Sequence, residues 1–358
     1  MQIPEPAFIP GLELAGAFYR EAVGPLVGDV PHSAALIGTG SDVLGFDTAR
    51  STDHGWGPRV QVFVDAPDVA PVAGKIDAGV PDTFRGWPVR YGWERVPVQH
   101  HVTVTTLPEW LVALLGVDAT RPLTAADWLV TPQQLLLGVS GGAVFRDDTG
   151  ELARVREQLA WYPDSVWRWL LGCQWRRLAQ EEPFVQRTAE VGDELGSSVL
   201  AGRLARDVMR LALLIARRYA PYSKWLGTAF VRLEHPDGLD RFLADAVRAP
   251  DLESREAALG MAYEAVARRF NALGLIEPVD PELRQFHNRP ARVLIAYRFA
   301  DPCLASVADP ALRALPPIGG IDQVADASDA LNDPAVFRRF RDVWSRCPRQ
   351  ESNLEPSD

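Results

Sequence analysis

Apolar positions in the first 150 residues come in short runs or alternate with polar ones, a pattern that predicts strands separated by helices. The strands are predicted at residues 34–37, 59–64, 101–105 and 143–146. Residues 11–27 carry apolar side chains at helical spacing and predict a helix that ends at a Gly-Asp-Val-Pro turn. Residues 67–97 hold several prolines and predict a weak helix followed by an irregular loop.

Beyond residue 150 the apolar period becomes that of helices. The clearest stripe runs through Leu200, Leu204, Val208, Leu211 and Ile215, at steps of four and three residues. Helices are predicted at residues 165–180, 194–219, 224–233, 239–247 and 252–273. The pattern indicates an α+β protein, with an α/β domain over residues 1–150, an all-helical domain over 151–290 and a C-terminal extension over 291–358. The polar tail from residue 350 is predicted to be disordered.

Composition narrows the classes of protein. The chain has 37 basic and 47 acidic residues, a formal net charge of -10, and a surface of that sign repels nucleic-acid backbones. Three cysteines, Cys173, Cys303 and Cys347, are too few for a disulfide framework. The N-terminus lacks the regions of a signal peptide, and no apolar run is long enough to span a membrane. We therefore expect a cytoplasmic protein without membrane segments or broad nucleic-acid binding.

One segment carries candidate chemistry. The first predicted strand runs into Gly40-Ser41, eleven residues separate Ser41 from Asp53, and a second strand follows. A strand that delivers Gly-Ser to a helix start exposes main-chain amides to which a phosphate can bind. An aspartate near the next strand can hold Mg²⁺ against the same phosphates. The alternative is an ordinary turn, with the Asp53 carboxylate capping local amides.

This order resembles the signature of the DNA polymerase beta-like nucleotidyltransferase superfamily. A closer resemblance, over about residues 30–235, is to the domain of unknown function 4037 family, which is assigned to that superfamily. The motifs that carry it are Gly40-Ser41-Asp42, Asp53-His54-Gly55-Trp56-Gly57-Pro58-Arg59, Gln180-Glu181-Glu182-Pro183-Phe184 and Tyr222-Ser223-Lys224-Trp225. The resemblance implies a nucleotidyltransferase-like mixed sheet followed by a helical bundle.

The resemblance also implies roles for particular residues. The nucleotide-binding residues are expected to be Gly40, Ser41, Asp42 and Lys224, the catalytic residues Asp53 and Ser41, the metal ligand Asp53, and the residues around them His54, Arg59 and Glu182. The second and third carboxylates of the superfamily fall on Gly55 and Thr103, which carry no acid. Lys224 is equally well explained by chance retention in an arginine-rich chain, and Glu182 by a salt bridge between domains.

These roles imply a Mg²⁺-dependent nucleotidyltransferase, an enzyme that moves a nucleoside monophosphate from a nucleoside triphosphate to a hydroxyl of a small molecule or protein. The alternative is a catalytically degraded member of the fold that acts as a binding or regulatory protein, favoured by Gly55 and Thr103. A toxin or antitoxin component is a third class. The sequence leaves open the acceptor, the nucleotide and the oligomeric state.

Overall fold

A computed structural model describes residues 6–94 and 96–346 of the chain. The predicted disordered tail at residues 350–358 lies outside the described residues. The chain divides into two compact units. Unit 1 takes its described residues from Met1–Leu123 and Gln133–Ala160, and unit 2 takes them from Thr124–Pro132 and Trp161–Asp358.

Strands are concentrated in the first part of the chain, and helices follow throughout. The strands are β1 Ser33–Leu36, β2 Arg59–Phe63, β3 Thr83–Phe84, β4 Trp87–Pro88, β5 Arg90–Trp93, β6 Val96–Thr105, β7 Ala143–Asp147, β8 Arg284–Gln285 and β9 Arg292–Val293. The helices are α1 Gly11–Phe18, α2 Gly24–Val27, α3 Ala66–Gly79, α4 Leu107–Leu115, α5 Ala125–Val130, α6 Gln133–Ser140, α7 Glu151–Gln158, α8 Asp164–Glu181, α9 Phe184–Glu190, α10 Glu194–Ile215, α11 Ser223–Val231, α12 Leu239–Arg248, α13 Leu252–Ala272, α14 Tyr297–Ala305, α15 Pro310–Arg313, α16 Ile321–Val324, α17 Ser328–Asn332, α18 Pro334–Phe337 and α19 Arg341–Arg346. A π-helix joins α1 to α2 at Tyr19–Val23, and 3-10 helices lie at Ala49–Asp53 and Arg338–Phe340.

Unit 1 is built on a five-stranded mixed sheet in the order β5-β6-β2-β1-β7. Strands β2 and β6 are parallel, and every other neighbouring pair is antiparallel. The register places Arg59 opposite His101 and Gln61 opposite Thr103. A mixed sheet in one unit and helices in the other confirm the predicted α+β class.

An apolar cluster of unit 1 lies on one face of this sheet. Because side chains alternate along a strand, Val60 and Val62 of β2 point to the same face, where both are fully buried. They belong to one apolar cluster with residues of α1 and α3, including Phe18 and Ile76. The opposite face of β2 carries Arg59 and Gln61, which are half-buried and polar. This second face positions the candidate site.

The region at residues 67–97 differs from the prediction. The helix is present as α3, but the predicted irregular loop contains strands β3, β4 and β5 and the start of β6. The prolines are tolerated because of where they lie: Pro88 ends a two-residue strand, and Pro97 lies where the β5–β6 register shifts. Gly92 faces Val96 and Pro97 at this shift, where a Cβ atom would be 2.6 Å from the Val96 carbonyl oxygen.

Unit 2 is almost entirely helical, as its apolar period predicted. Large aromatic side chains fill its core. The Trp175 ring stacks on Phe299 at a centroid distance of 4.8 Å and meets Phe270 edge-on at 5.5 Å. Asp193 caps α10 by accepting a hydrogen bond from the Gly196 amide at 2.8 Å, which explains why the helix begins there.

No helix within the described ranges is both long enough and apolar enough to cross a membrane.

Candidate functional site

The segment that follows β1 is a compact turn. The Leu44 amide donates to the Gly40 carbonyl at 3.3 Å, and the Phe46 amide donates to the Ser41 carbonyl at 2.8 Å. The helix expected after Ser41 does not form: residues 41–45 are turns, and the 3-10 helix Ala49–Asp53 follows. That expectation was wrong because Gly45 has φ +67°, a left-handed conformation that ends a right-handed helical turn.

The turn leaves main-chain donors free. The Ile37 amide donates to Gln61 Oε1 at 3.1 Å and the Gly38 amide to the Gly138 carbonyl at 2.9 Å. The four amides of residues 39–42, by contrast, donate no hydrogen bond in the part of the chain that the structure describes. Consecutive unpaired N–H groups at a glycine turn are the donors from which proteins build main-chain anion sites.

Arg59 fixes the shape of this turn. Its Nη2 atom lies 2.5 Å from Asp42 Oδ1 and 3.0 Å from the Thr39 carbonyl, and its Nε atom lies 3.3 Å from Asp42 Oδ2. The Asp42 side chain is 2% exposed and the Arg59 side chain 16% exposed. Gly40 has φ +134°, and a Cβ atom there would collide with both Arg59 and Asp42. The turn therefore needs glycine at position 40.

Asp53 stands apart from this turn. It is the last residue of the 3-10 helix Ala49–Asp53 and is exposed, and its carboxylate makes no hydrogen bond or ion pair with any described residue. It does not head β2, which begins at Arg59. Its expected role as a metal ligand stays a prediction, since no contact joins it to Gly40 or Ser41 among the described residues.

The other nearby carboxylates are committed to structure. Asp42 is bound to Arg59, and Asp47 Oδ2 accepts hydrogen bonds from the Gly11 amide at 2.7 Å and from Trp56 Nε1 at 3.2 Å. Asp65 directly precedes α3, beyond the far end of β2. No group of three His, Cys, Asp or Glu side chains that could hold a metal ion occurs within residues 6–94 and 96–346.

Gly55 and Thr103, where the superfamily has its second and third carboxylates, make packing and strand-pairing contacts instead. Gly55 has φ +62° and lies against the Trp93 ring, since a Cβ atom there would be 3.6 Å from it. Thr103 pairs with Gln61 across β2 and β6. The polar face of these two strands thus carries Arg59, Gln61 and Thr103 in place of acids.

Aromatic rings pack beside Arg59, and sequence reasoning did not connect them to this site. The His101 ring lies 4.2 Å from the Tyr91 ring and 5.0 Å from the Trp93 ring, and His54 meets Trp93 edge-on at 5.8 Å. His101 Nε2 lies 2.9 Å from the Tyr91 carbonyl, so this nitrogen carries the proton and donates. Burial, and secondarily the Arg59 charge, lowers the pKa of His101. The usable signal was the parallel pairing of β2 with β6, which sets Arg59 opposite His101.

The Tyr91 hydroxyl is buried and has no hydrogen-bond partner among the described residues. Burial raises the pKa of Tyr91, the Arg59 charge lowers it by less, and the Asp42 charge raises it further. This neutral phenol therefore adds an unused donor and acceptor next to the Arg59–Asp42 pair.

Two predicted site residues belong to unit 2. Lys224 is exposed, and its Nζ atom lies 5.0 Å from the Trp225 ring centroid. Glu182 is buried, and its two oxygens accept hydrogen bonds from the Leu294 and Ala296 amides, each at 2.8 Å. Burial raises the pKa of Glu182 to about 7, although the amide hydrogen bonds lower it. Glu182 therefore anchors the segment before α14, within unit 2.

A cavity of about 360 Å³ lies elsewhere in unit 1. Its lining includes Ser33 at the start of β1, Phe63 at the end of β2, and Thr106 and Leu107 where α4 begins. Gly40 follows the opposite end of β1. This cavity therefore does not include the turn at residues 39–42.

Fold and side chains together define an α+β protein whose sheet-bearing unit presents a glycine turn held by an arginine–aspartate pair. Residues 128–226 match the model of a family described as Domain of unknown function (DUF4037). The resemblance to this family that the sequence indicated is confirmed over that range, which includes Glu182 and Lys224. Gly40–Asp53 precedes the matched residues.

Among solved structures, the chain is similar to a nucleotidyltransferase-like protein from Exiguobacterium sibiricum 255-15. The identity is 13% and the TM-score 0.33, and the match covers 77% of this chain and 82% of that chain. The comparison with curated proteins gives no match.

Proposed function

We propose that unit 1 binds the phosphate groups of a nucleotide at the turn formed by residues 39–42, and that it does so as a binding or regulatory protein. The observation that supports this most directly is the run of four main-chain amides without hydrogen-bond partners among the described residues. Amide donors at a glycine turn suit a phosphate because glycine lets it approach the backbone closely. The resemblance indicated by the sequence makes a nucleoside triphosphate the first ligand to test.

The Arg59–Asp42 pair supports this function by fixing the conformation of the turn. Both Asp42 oxygens face Arg59, so the pair carries little net charge and does not repel an anion. The Thr39 carbonyl accepts a hydrogen bond from Arg59 Nη2 as well, so this acceptor is already engaged. The amides are therefore preorganised donors, and binding requires little ordering of the chain.

The donor set does not fit a catalytic magnesium centre. Mg²⁺ takes six oxygen ligands in near-ideal octahedral geometry, and two-metal transfer requires several carboxylates. Asp42 and Asp47 are engaged in hydrogen bonds, whereas Gly55 and Thr103 supply no carboxylate. Among the described residues 40–59, Asp53 is the one acid whose carboxylate has no hydrogen bond or ion pair, and a single carboxylate favours binding over transfer.

A metal-dependent nucleotidyltransferase is the second candidate, favoured by one observation. The Asp53 carboxylate is exposed and makes no hydrogen bond or ion pair with a described residue, so its oxygens would be accessible to a metal ion. In that reaction an acceptor hydroxyl would attack the α-phosphorus of the triphosphate, the bond from this phosphorus to the bridging oxygen would break to release pyrophosphate, and the hydroxyl proton would pass to solvent. Asp53 would hold the metal, and Gly40 and Ser41 would hold the phosphates.

Calorimetric titration with ATP and GTP, in the presence of Mg²⁺ and then of a chelator, separates these candidates. Phosphate binding by the turn predicts affinity that survives the chelator and is unchanged in Asp53→Asn. Ser41→Pro removes one amide donor and is expected to weaken binding about tenfold or more, since hydrogen bonds to a charged group contribute about 1.5–3 kcal/mol. Its melting temperature verifies that the variant is folded.

Amide resonances give a direct readout at the turn. In a deuterated sample, nucleotide should shift the backbone N–H signals of residues 39–42 more than those of unit 2. Affinity that requires Mg²⁺ and is lost in Asp53→Asn would instead support the transferase. If neither ATP nor GTP binds, both proposed functions are overturned.

A further inference from the structure

Unit 2 contains a cavity of about 320 Å³ that none of the residues discussed so far explains. It lies between α8, α14 and the chain that follows α15, and its lining includes Trp169, Arg176, Asp301, Leu304, Arg313 and Pro317. Ligand sites in proteins range upward from about 300 Å³, so this space suits a small organic molecule. We refer to it as the Arg176 cavity.

Two guanidinium groups and one carboxylate line the Arg176 cavity. Arg176 Nη1 lies 3.7 Å from Asp301 Oδ1, which is too long for a hydrogen bond and leaves its donors largely unused. Its guanidinium carbon lies 5.3 Å from the Tyr297 ring centroid, a contact that orients the side chain without using its N–H groups. Arg313 is exposed, and its guanidinium has no hydrogen bond or ion pair with any described residue. The charges therefore favour an anion.

The remaining wall is apolar and closely packed. Helices α8 and α14 approach each other at Gly172, where a Cβ atom would be 2.6 Å from Leu304 Cγ. This approach fixes Leu304 beside Trp169, whose side chain is 1% exposed and thus held rigidly in the core. Leu315 and Pro317 complete the apolar side. A flat hydrocarbon group would be covered there, because burying apolar surface is favourable.

We propose that the Arg176 cavity binds a small organic anion, with one carboxylate or phosphate group held by Arg176 and Arg313 and an apolar group packed against Leu304, Leu315 and Pro317. Arginine suits this role because its planar fork matches the oxygens of carboxylate and phosphate. The site lies wholly within unit 2 and does not depend on the turn at residues 39–42.

Ligand-detected NMR and calorimetry on the full chain, with benzoate, phenyl phosphate, inorganic phosphate and benzyl alcohol as probes, test this proposal. At least one of the two aromatic anions should bind at least tenfold more tightly than inorganic phosphate and than benzyl alcohol. The preference between benzoate and phenyl phosphate identifies the anionic group. If inorganic phosphate binds as tightly as the aromatic anions, the proposed contact between the ligand and the apolar wall is refuted. If neither benzoate nor phenyl phosphate binds, the whole proposal is overturned.

Variants assign the binding to these residues. Arg313→Gln should weaken binding about tenfold, whereas Asp301→Asn should strengthen it several-fold because it removes the opposing charge. Arg248→Gln changes an exposed arginine at the end of α12 and serves as the matched control without effect. Ala305→Phe places a ring in the cavity from the exposed end of α14 and should abolish binding without unfolding the chain. Binding unaffected by Arg313→Gln and Ala305→Phe would contradict the assignment, and Ser41→Pro should leave it unchanged.

Discussion

Two buried carboxylates, one in each unit, are stabilised by opposite means. Asp42 is paired with the guanidinium of Arg59, whereas Glu182 accepts hydrogen bonds from the main-chain amides of Leu294 and Ala296 and has no ion pair among the described residues. A cation neutralises the first charge, whereas two N–H groups solvate the second without neutralising it. Burial consequently raises the pKa of Glu182 to about 7. The comparison teaches that an acid in a sequence motif can be assigned a chemical role only once its structural partners are known.

The largest effect should come from Arg59→Met, which leaves Asp42 buried without its cation. Breaking a buried pair by removing one partner costs about 3–5 kcal/mol, and urea unfolding should show a loss of that size. The double variant with Asp42→Asn should lose less, because no unpaired charge remains, and the resulting cycle measures the coupling. Unfolding of Arg59→Met at the wild-type urea concentration would show that Asp42 does not need this cation.

The stability of the chain against unfolding should depend on pH because the pKa of Glu182 is raised. Its carboxyl binds a proton more tightly in the folded chain than in the unfolded chain, so its contribution to stability is complete below about pH 4.5. That contribution declines as pH rises through about 7, by up to about 3 kcal/mol.

Glu182→Gln cannot titrate, so it should remove this decline between pH 5 and pH 8 when unfolding is measured across that range. The variant should also be less stable at low pH, because its NH₂ group faces an amide donor. Glu253→Gln changes an exposed glutamate of α13 and should keep the wild-type slope. Parallel pH profiles for wild type and Glu182→Gln would count against the raised pKa.

A smaller loss of stability is expected from substituting Gly40, whose backbone lies against the Arg59–Asp42 pair. Gly40→Ala adds a Cβ atom that collides with both side chains at a positive φ, a strain of about 1–3 kcal/mol. Gly45→Ala is the matched control, since φ is also positive there but the space is open, and about 1 kcal/mol is expected. Thermal unfolding of the two variants measures the difference. Equal losses would mean that the collision at Gly40 is relieved by movement.

The smallest effect should come from Asp53→Asn. The carboxylate is exposed and has no contact with a described residue, so its replacement should change the unfolding free energy by less than about 0.5 kcal/mol. Chemical denaturation checks this. A larger loss would reveal that Asp53 supports the fold.

Periodic features of this chain could be predicted and contact-dependent ones could not. The alternation of Val60 and Val62 located β2, and the stripe through Leu204 and Leu211 located α10, because burial of one face imposes a period. The same reasoning placed a glycine turn directly after the first strand. It could not foresee the short strands at residues 83–93, since their prolines and glycines are permitted only by edge positions and register shifts.

The candidate site shows the same limit. Gly40 and Ser41 could be singled out from local order, but the engagement of Asp42 by Arg59 depends on how the turn folds back over 17 residues. The link between Glu182 and residues 294–296 spans more than 100 positions and leaves no local mark. Tyr91 and His101 were missed as neighbours of Arg59 because their proximity follows from strand pairing alone.

The short stretch Thr124–Pro132 belongs to unit 2 although unit 1 flanks it on both sides. Asp127 and Thr131 are bonded to Arg338, and Gly320 packs against Leu129. Because synthesis runs from the N-terminus, Arg338 is made about 200 residues after the two side chains that it binds. The side of this stretch that packs on Gly320 and Arg338 therefore stays uncovered while the intervening residues are made, an interval in which a holdase chaperone can bind it.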